Sequence, residues 1–203
     1  MTMTAKMPAR FYLIVDNAEC LTQFLPLGVE CVQLRIKSAS KQALRTEIRL
    51  AKQLCDEVDC QLVVNDYWQL AIEEGCNGLH LGQEDLDDAD MTAITAAGIR
   101  YGISTHDKAE LQRAMALNPH YIALGPVYAT LLKKMPWRPQ GLEKLARWKQ
   151  RIGKIPLVAI GGFTPERAAG AFAAGADSIC VVTDIAQHND PVARVREWVA
   201  LCR

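Results

Sequence analysis

The sequence has no excess of either charge, since Lys and Arg number 23 and Asp and Glu also number 23. A chain so balanced offers no basic face to nucleic acid and no acidic tail, so nucleic acid is not expected as a partner and charge chemistry is local. A Cys-x-x-Cys pair and zinc-like spacing are also missing among the seven cysteines, Cys20, Cys31, Cys55, Cys60, Cys76, Cys180 and Cys202. They read as reduced packing thiols rather than a disulfide framework or a metal site. Met1 to Arg10 carry no apolar core of a signal peptide, and no stretch approaches the ~18 apolar residues of a membrane span. The expectation is a soluble cytoplasmic protein with no membrane partner.

What is present is a regular alternation. Short apolar runs occur at Phe11–Val15, Cys31–Leu34, Gln61–Val64, Gly78–Leu81, Arg100–Ser104, Tyr121–Leu124, Pro156–Ile160 and Ser178–Val182. They are almost continuously apolar, as strands of a parallel sheet covered on both faces should be. Between them lie helical spacings, such as Lys41–Val58 with Leu44, Ile48, Ala51 and Leu54 on one face, and Pro165–Ala174 with a Pro in its first turn. Repeated βα units of this number predict a single-domain α/β protein, a (β/α)8 TIM barrel, in preference to an open doubly wound sheet. The domain spans residues 1–203, with 1–9 as a loose leading segment. Gly28, Gly75, Gly98 and Gly175 each precede a strand and mark helix ends on the N-terminal rim, where a left-handed residue stops the helix. Function is therefore expected at the opposite rim, where strands end.

The polar residues gather at those strand ends. Gln33, Arg35 and Lys37 share one face by the two-residue period, an amide and two cations suited to a diphosphate. Asp66 and Asp85 follow the third and fourth strands, and paired carboxylates suit Mg²⁺, which takes one or two of them together with substrate phosphates. Helix capping is the plain alternative for both, as it is for Ser104 after the fifth strand. The sixth strand opens into the long irregular stretch Gly125 to Gly141, which holds Thr130 and Lys133, and a loop of that length is usually functional. Gly161-Gly162 before a helix start at Thr164-Pro165, with Val182-Thr183 after the eighth strand, form the pattern of a phosphate cradle. Two anion sites on one rim fit an enzyme that joins a diphosphorylated molecule to a phosphorylated one. His80, His106, Trp68, Trp148 and Trp198 read as packing residues, Trp137 as a residue positioned to cover the site, and Arg147, Lys149 and Arg151 as a solvated helix end.

Gln33-Leu34-Arg35-Ile36-Lys37, Val64-Asn65-Asp66-Tyr67-Trp68, Leu79 through Leu86, Gly102-Ile103-Ser104-Thr105-His106, Tyr121 through Gly125 and Ala159-Ile160-Gly161-Gly162 resemble the motif series of the thiamin-phosphate synthase (thiamin-phosphate pyrophosphorylase) family. The resemblance runs in order from about Tyr12 to Ile185. It implies transfer of a hydroxymethylpyrimidine group from its diphosphate to the ring nitrogen of thiazole phosphate, giving thiamin phosphate and pyrophosphate, with Mg²⁺ as cofactor. It also implies site residues. Gln33, Arg35, Lys37, Asn65, Ser104 and Lys133 match the contacts to the pyrimidine diphosphate, with Leu34 and Ile36 in the same segment, and Asp66 and Asp85 match the metal ligands. Thr130, Leu131, Leu132, Gly162, Val182 and Thr183 fall where the family binds thiazole phosphate. Arg35, Lys37, Ser104 and Lys133 carry the catalytic roles under this resemblance. An electron-rich aminopyrimidine supports a cation at its exocyclic carbon, which favours a dissociative displacement in which the enzyme positions one partner and ionises the other. The apolar outer faces of barrel helices leave room for a homodimer.

The long loop departs from the family pattern. Where the family reads Pro-Thr-x-Thr-Lys, this chain has Ala129-Thr130-Leu131-Leu132-Lys133, so a Pro and a hydroxyl are gone. That departure leaves two further readings, a thiazole tautomerase-like isomerase and a non-catalytic barrel that binds a phosphorylated ligand. It also yields a test. A hydrogen bond to a charged group contributes about 1.5–3 kcal/mol, so Leu132→Thr is expected to lower the KM for thiazole phosphate by about tenfold while leaving that for the diphosphate alone. An unchanged KM in steady-state assays would show that backbone N–H groups already hold the phosphate.

Overall fold

A computed structural model of the chain describes residues 8–130 and 137–203. Eight parallel strands, β1 (Phe11–Val15), β2 (Cys31–Leu34), β3 (Gln61–Asn65), β4 (Gly78–Leu81), β5 (Arg100–Thr105), β6 (Tyr121–Leu124), β7 (Leu157–Ile160) and β8 (Ser178–Val181), close into a barrel in sequence order. Closure is made by β1 against β8, with Leu13 beside Val181. The expected TIM barrel is the observed fold, and four of the strands have the bounds expected from the sequence. The other ends move for local reasons. Pro156 has no N–H for the ladder and only lends its carbonyl to the N–H of Ile122, at 3.0 Å. Val182 leaves the strand to precede the short helix Thr183–Ala186.

Two layers of side chains hold the barrel. Between strands and helices lies the larger one, which includes Leu13, Val32, Leu62, Leu79, Ile103, Leu124 and Ile179 and is covered by residues such as Ile48, Trp148 and Trp198. The second fills the barrel interior with Tyr12, Ile14, Cys31, Val63, Tyr121, Ala123, Val158 and Cys180. All seven cysteines are free thiols, and every one except Cys20 is buried.

Local rules explain the helices. Ser40 caps Lys41–Asp56 by accepting the Ala43 N–H at 3.2 Å. That helix stops at Asp56, short of the expected Val58, and its buried face is Leu44, Ile48, Ala51 and Cys55 rather than Leu54. The Ala51-to-Cys55 step is one helical turn, so the smaller thiol takes the inward place. Gly28, Gly75, Gly98 and Gly175 have φ of 92, 63, 72 and 96°, the left-handed values expected where helices stop. One expectation about charge fails. Lys149 is no solvated terminus, because its ammonium donates to Asp177 at 2.7 Å and to the Ile155 carbonyl at 3.1 Å, tying the helix Gly141–Ile152 to the start of β7.

Strand backbones crowd each other at Gly78, where a Cβ would lie 2.3 Å from the Leu62 carbonyl oxygen of the neighbouring strand. Backbone on a paired strand cannot yield as a side-chain tip can, and overpacking costs about 1–3 kcal/mol. Gly78→Ala should therefore lower Tm by several degrees in a thermal melt. An unaltered Tm would mean that β3 and β4 separate freely.

Candidate active site

The C-terminal ends of the strands bring most of the expected residues to one rim. Gln33 points into the interior, where it is 3% exposed. The strand ends at Leu34, so the two-residue period does not carry Arg35 and Lys37 onto its face as expected. They reach the rim from the loop instead, with Arg35 and Ile36 half-buried and Lys37 exposed. Lys37 still finds its place, donating to Asp66 Oδ2 at 3.0 Å.

Asp66 has left-handed backbone, with φ of 66°, and its N–H donates to the His80 carbonyl at 3.0 Å. A non-glycine residue there is strained, and the strain aims its carboxylate across the rim. It does not cap the helix Trp68–Glu73, which has no side-chain cap. Asp85 accepts the Gly82 N–H at 2.9 Å and lies near enough to Asp66 to feel its charge. Loss of water, and then the Asp66 charge, push the Asp85 carboxyl above its usual range. Two carboxylates held against their own repulsion suit a divalent cation that keeps waters and substrate oxygens in its remaining positions. No cluster of three or more His, Cys, Asp or Glu occurs among the described residues.

Below the rim, the interior is polar where many barrels are filled by branched apolar residues. Gln33 Nε2 donates to Tyr12 Oη at 2.9 Å, the Tyr12 and Tyr121 hydroxyls are 2.9 Å apart, and Tyr121 Oη lies 2.9 Å from His80 Nδ1. His80 Nε2 then meets Ser104 Oγ at 2.8 Å. Ser104 thus faces the interior and caps nothing, and the cap of the following helix is Asp107, which accepts the Glu110 N–H. Burial lowers the His80 pKa to about 4 against the opposing pull of Asp85, so the ring is neutral at physiological pH. Asn65, 4% exposed, has no partner for its amide nitrogen Nδ2 among the described residues. A buried donor left unpaired is costly, which makes it a natural ligand contact. Sequence reasoning missed Tyr12 and Tyr121; their inward position was readable only from strand parity.

Across the rim, Gly161 and Gly162 have φ of 100 and 68°. A Cβ on Gly162 would meet the Ala129 carbonyl oxygen at 2.3 Å, so only glycine lets this turn lie against the sixth strand's loop beside Thr130. Arg167 fastens the turn by donating to the Gly162 carbonyl at 2.5 Å while its guanidinium lies 4.8 Å from the centre of the Tyr128 ring. Val182 and Thr183 start the helix Thr183–Ala186, and the next residue, Asp184, receives two bonds from Arg194 and one from Trp198. Leu131, Leu132 and Lys133 lie outside the described residues. Trp137 stacks on His106 with ring centres 5.5 Å apart.

The family model described as thiamine monophosphate synthase matches residues 11–185. The thiamine-phosphate synthase of Rhizobium etli is 57% identical over 94% of this chain and 93% of its own length. That of Neisseria meningitidis is 42% identical over 97% of this chain and 96% of its own length. Among solved structures, a thiamine phosphate pyrophosphorylase from Pyrococcus furiosus superposes with a TM-score of 0.84 at 27% identity, covering 95% of each chain.

The carboxylate pair sets a pH-dependent cost. With its folded pKa raised above the unfolded value, Asp85 favours the native state below the unfolded pKa and loses that contribution as pH rises through the folded one. Asp85→Asn should thus raise the Tm of metal-free protein at pH 7.5, and the gain should vanish near pH 4. An equal or lower Tm at pH 7.5 would show that the two carboxylates do not oppose each other.

Proposed function

The chain belongs to the thiamine monophosphate synthase family, and from this we propose that its strand-end rim condenses 4-amino-2-methyl-5-hydroxymethylpyrimidine diphosphate with 4-methyl-5-(2-hydroxyethyl)thiazole phosphate, releasing thiamin phosphate and pyrophosphate. The observation that carries this reading is identity of 57% to a thiamine-phosphate synthase over 94% of the chain. The isomerase and the non-catalytic binder, raised by the altered loop, are not favoured: the relatives that match from end to end carry the synthase name.

In the proposed division of roles, Gln33, Asn65 and Ser104 hold the aminopyrimidine, and the unpaired Asn65 amide supports a ligand there. Arg35 and Lys37, with Lys133 from the loop, take the diphosphate, while Leu34 and Ile36, whose side chains pack in the outer layer, contribute backbone at the same strand end. As the bond from the exocyclic carbon to the diphosphate oxygen breaks, its electron pair leaves with pyrophosphate, and these cations oppose the charge where it develops. The thiazole ring nitrogen then gives its lone pair to that carbon. Thr130, Leu131, Leu132, Gly162, Val182 and Thr183 position the thiazole phosphate, and holding both partners in line supplies much of the rate. Asp66 and Asp85 would hold Mg²⁺, and their mutual repulsion is the feature that fits it. When bound, Mg²⁺ supplies positive charge to the leaving diphosphate. Lys37, already paired to Asp66, would add its ammonium charge at the same place.

Purified protein given Mg²⁺ and both substrates should release pyrophosphate and thiamin phosphate in equal amounts, and silence in both channels from folded protein would overturn the assignment. Asp66→Ala should cut that turnover on the order of a hundredfold with the far-ultraviolet circular dichroism unchanged. Near-normal turnover would remove Asp66 from the metal site.

A further inference from the structure

One buried hydrogen-bond chain connects the two polar groups that flank the proposed pyrimidine site. It runs from Gln33 through Tyr12, Tyr121 and His80 to Ser104, in contacts of 2.9, 2.9, 2.9 and 2.8 Å. Tyr12 and Tyr121 are 1% and 0% exposed, so water does not supply alternative partners within it. The tyrosine rings meet edge to face, and Tyr121 lies nearly parallel to His80, with planes 17° apart. The backbone makes room for this, because a Cβ at Gly102 would fall 2.0 Å from Tyr121 Cζ.

Counting hydrogens gives the chain a direction. Gln33 presents an amide nitrogen to Tyr12, and an amide nitrogen donates but does not accept. The single hydroxyl hydrogen of Tyr12 must therefore go to Tyr121, and that of Tyr121 to His80 Nδ1. His80 Nδ1, as the acceptor of that hydrogen, bears none of its own, so the ring carries its hydrogen on Nε2 and donates it to Ser104 Oγ. Ser104 has no choice left, and its own hydrogen points away from His80.

We propose that Tyr12, Tyr121 and His80 are positioning residues that fix the polarity of the pyrimidine site, so that Ser104 always meets substrate as a hydrogen-bond donor. This rests on the reading of the rim as a pyrimidine-diphosphate site and deepens it. Such a site selects a heteroaromatic ring that places an acceptor atom opposite Ser104. It rejects one that places a donor there, because reversing the chain requires the Gln33 amide to turn over inside the barrel. Unpaired serine hydroxyls rotate to suit either kind of ring; this one does not.

The test is nitrogen-15 NMR of histidine-labelled, ligand-free protein at pH 7.5, with steady-state kinetics beside it. His80 should be a single tautomer with its hydrogen on Nε2. Tyr121→Phe keeps the ring and removes the donor to Nδ1, so the Nδ1–H form should appear. The same variant should lower kcat/KM for the pyrimidine diphosphate by about tenfold, as the loss of one buried hydrogen bond implies, with the KM for thiazole phosphate unchanged. A wild-type His80 protonated on Nδ1 would overturn the proposal, whether or not the variant folds. So would a Tyr121→Phe protein whose tautomer and kinetics match wild type. An Nε2–H wild type without any turnover would support the direction of the chain and count instead against the synthase reading.

Discussion

Closure of the sheet is the constraint on which the rest depends. Once β1 pairs with β8, every strand has one inward face, and alternate residues are committed to the interior. This sends Tyr12, Gln33, Asn65, His80, Ser104 and Tyr121 to the same enclosed space, although they come from six different strands. Register then decides which of them meet. Asn65 lies beside His80, His80 beside Gly102 and Gly102 beside Tyr121, so the Tyr121 ring is seated against a strand position without a side chain. A slip of one residue in β5 would turn Ser104 outward and bring Ile103 into the polar interior.

The polar interior and the charged rim are thus two levels of one device. Below the rim, Gln33, Tyr12, Tyr121, His80 and Ser104 are paired with one another, which holds their geometry; groups on the rim stay open to exchange partners. Lys37 is the hinge between these regimes, since it pairs with Asp66 yet remains exposed. An exposed pair of this sort contributes little to stability, so its carboxylate is easily shared with another cation. The deeper hydrogen bonds are not so easily shared, and they set which way Ser104 faces.

Much of this was legible because the barrel writes its plan in short apolar runs closed by polar residues. The strand Phe11–Val15 and the left-handed helix stops at Gly28, Gly75, Gly98 and Gly175 were readable from composition and spacing alone. What was not readable involves partners distant in sequence. Lys149 looks like a solvated charge until the fold brings Asp177 to it. Arg35 and Lys37 were placed on the β2 face by periodicity, but the strand ends before them, and their approach to the rim follows the loop. Tyr12 and Tyr121 look like ordinary strand aromatics, and only the closed register brings their hydroxyls together across more than half the chain.

The molecule's local costs lie close to its proposed chemistry. Asp66 adopts a left-handed backbone that an L residue resists, Asp85 is crowded by the Asp66 charge, and Asn65 keeps a buried donor unpaired. The last two would be relieved by a ligand that supplies positive charge to the carboxylates and an acceptor to the amide, as a Mg²⁺-bound diphosphate ester would. The tightly packed outer layer, with residues such as Trp198, Ile48 and Leu79 fully buried, is what allows these costs to be borne without losing the fold. A barrel optimised only for stability would replace Asp66 by Gly and Asp85 by Asn; that the chain keeps both carboxylates, one strained and one repelled, is the physical argument that the rim is built for a cationic and phosphorylated guest.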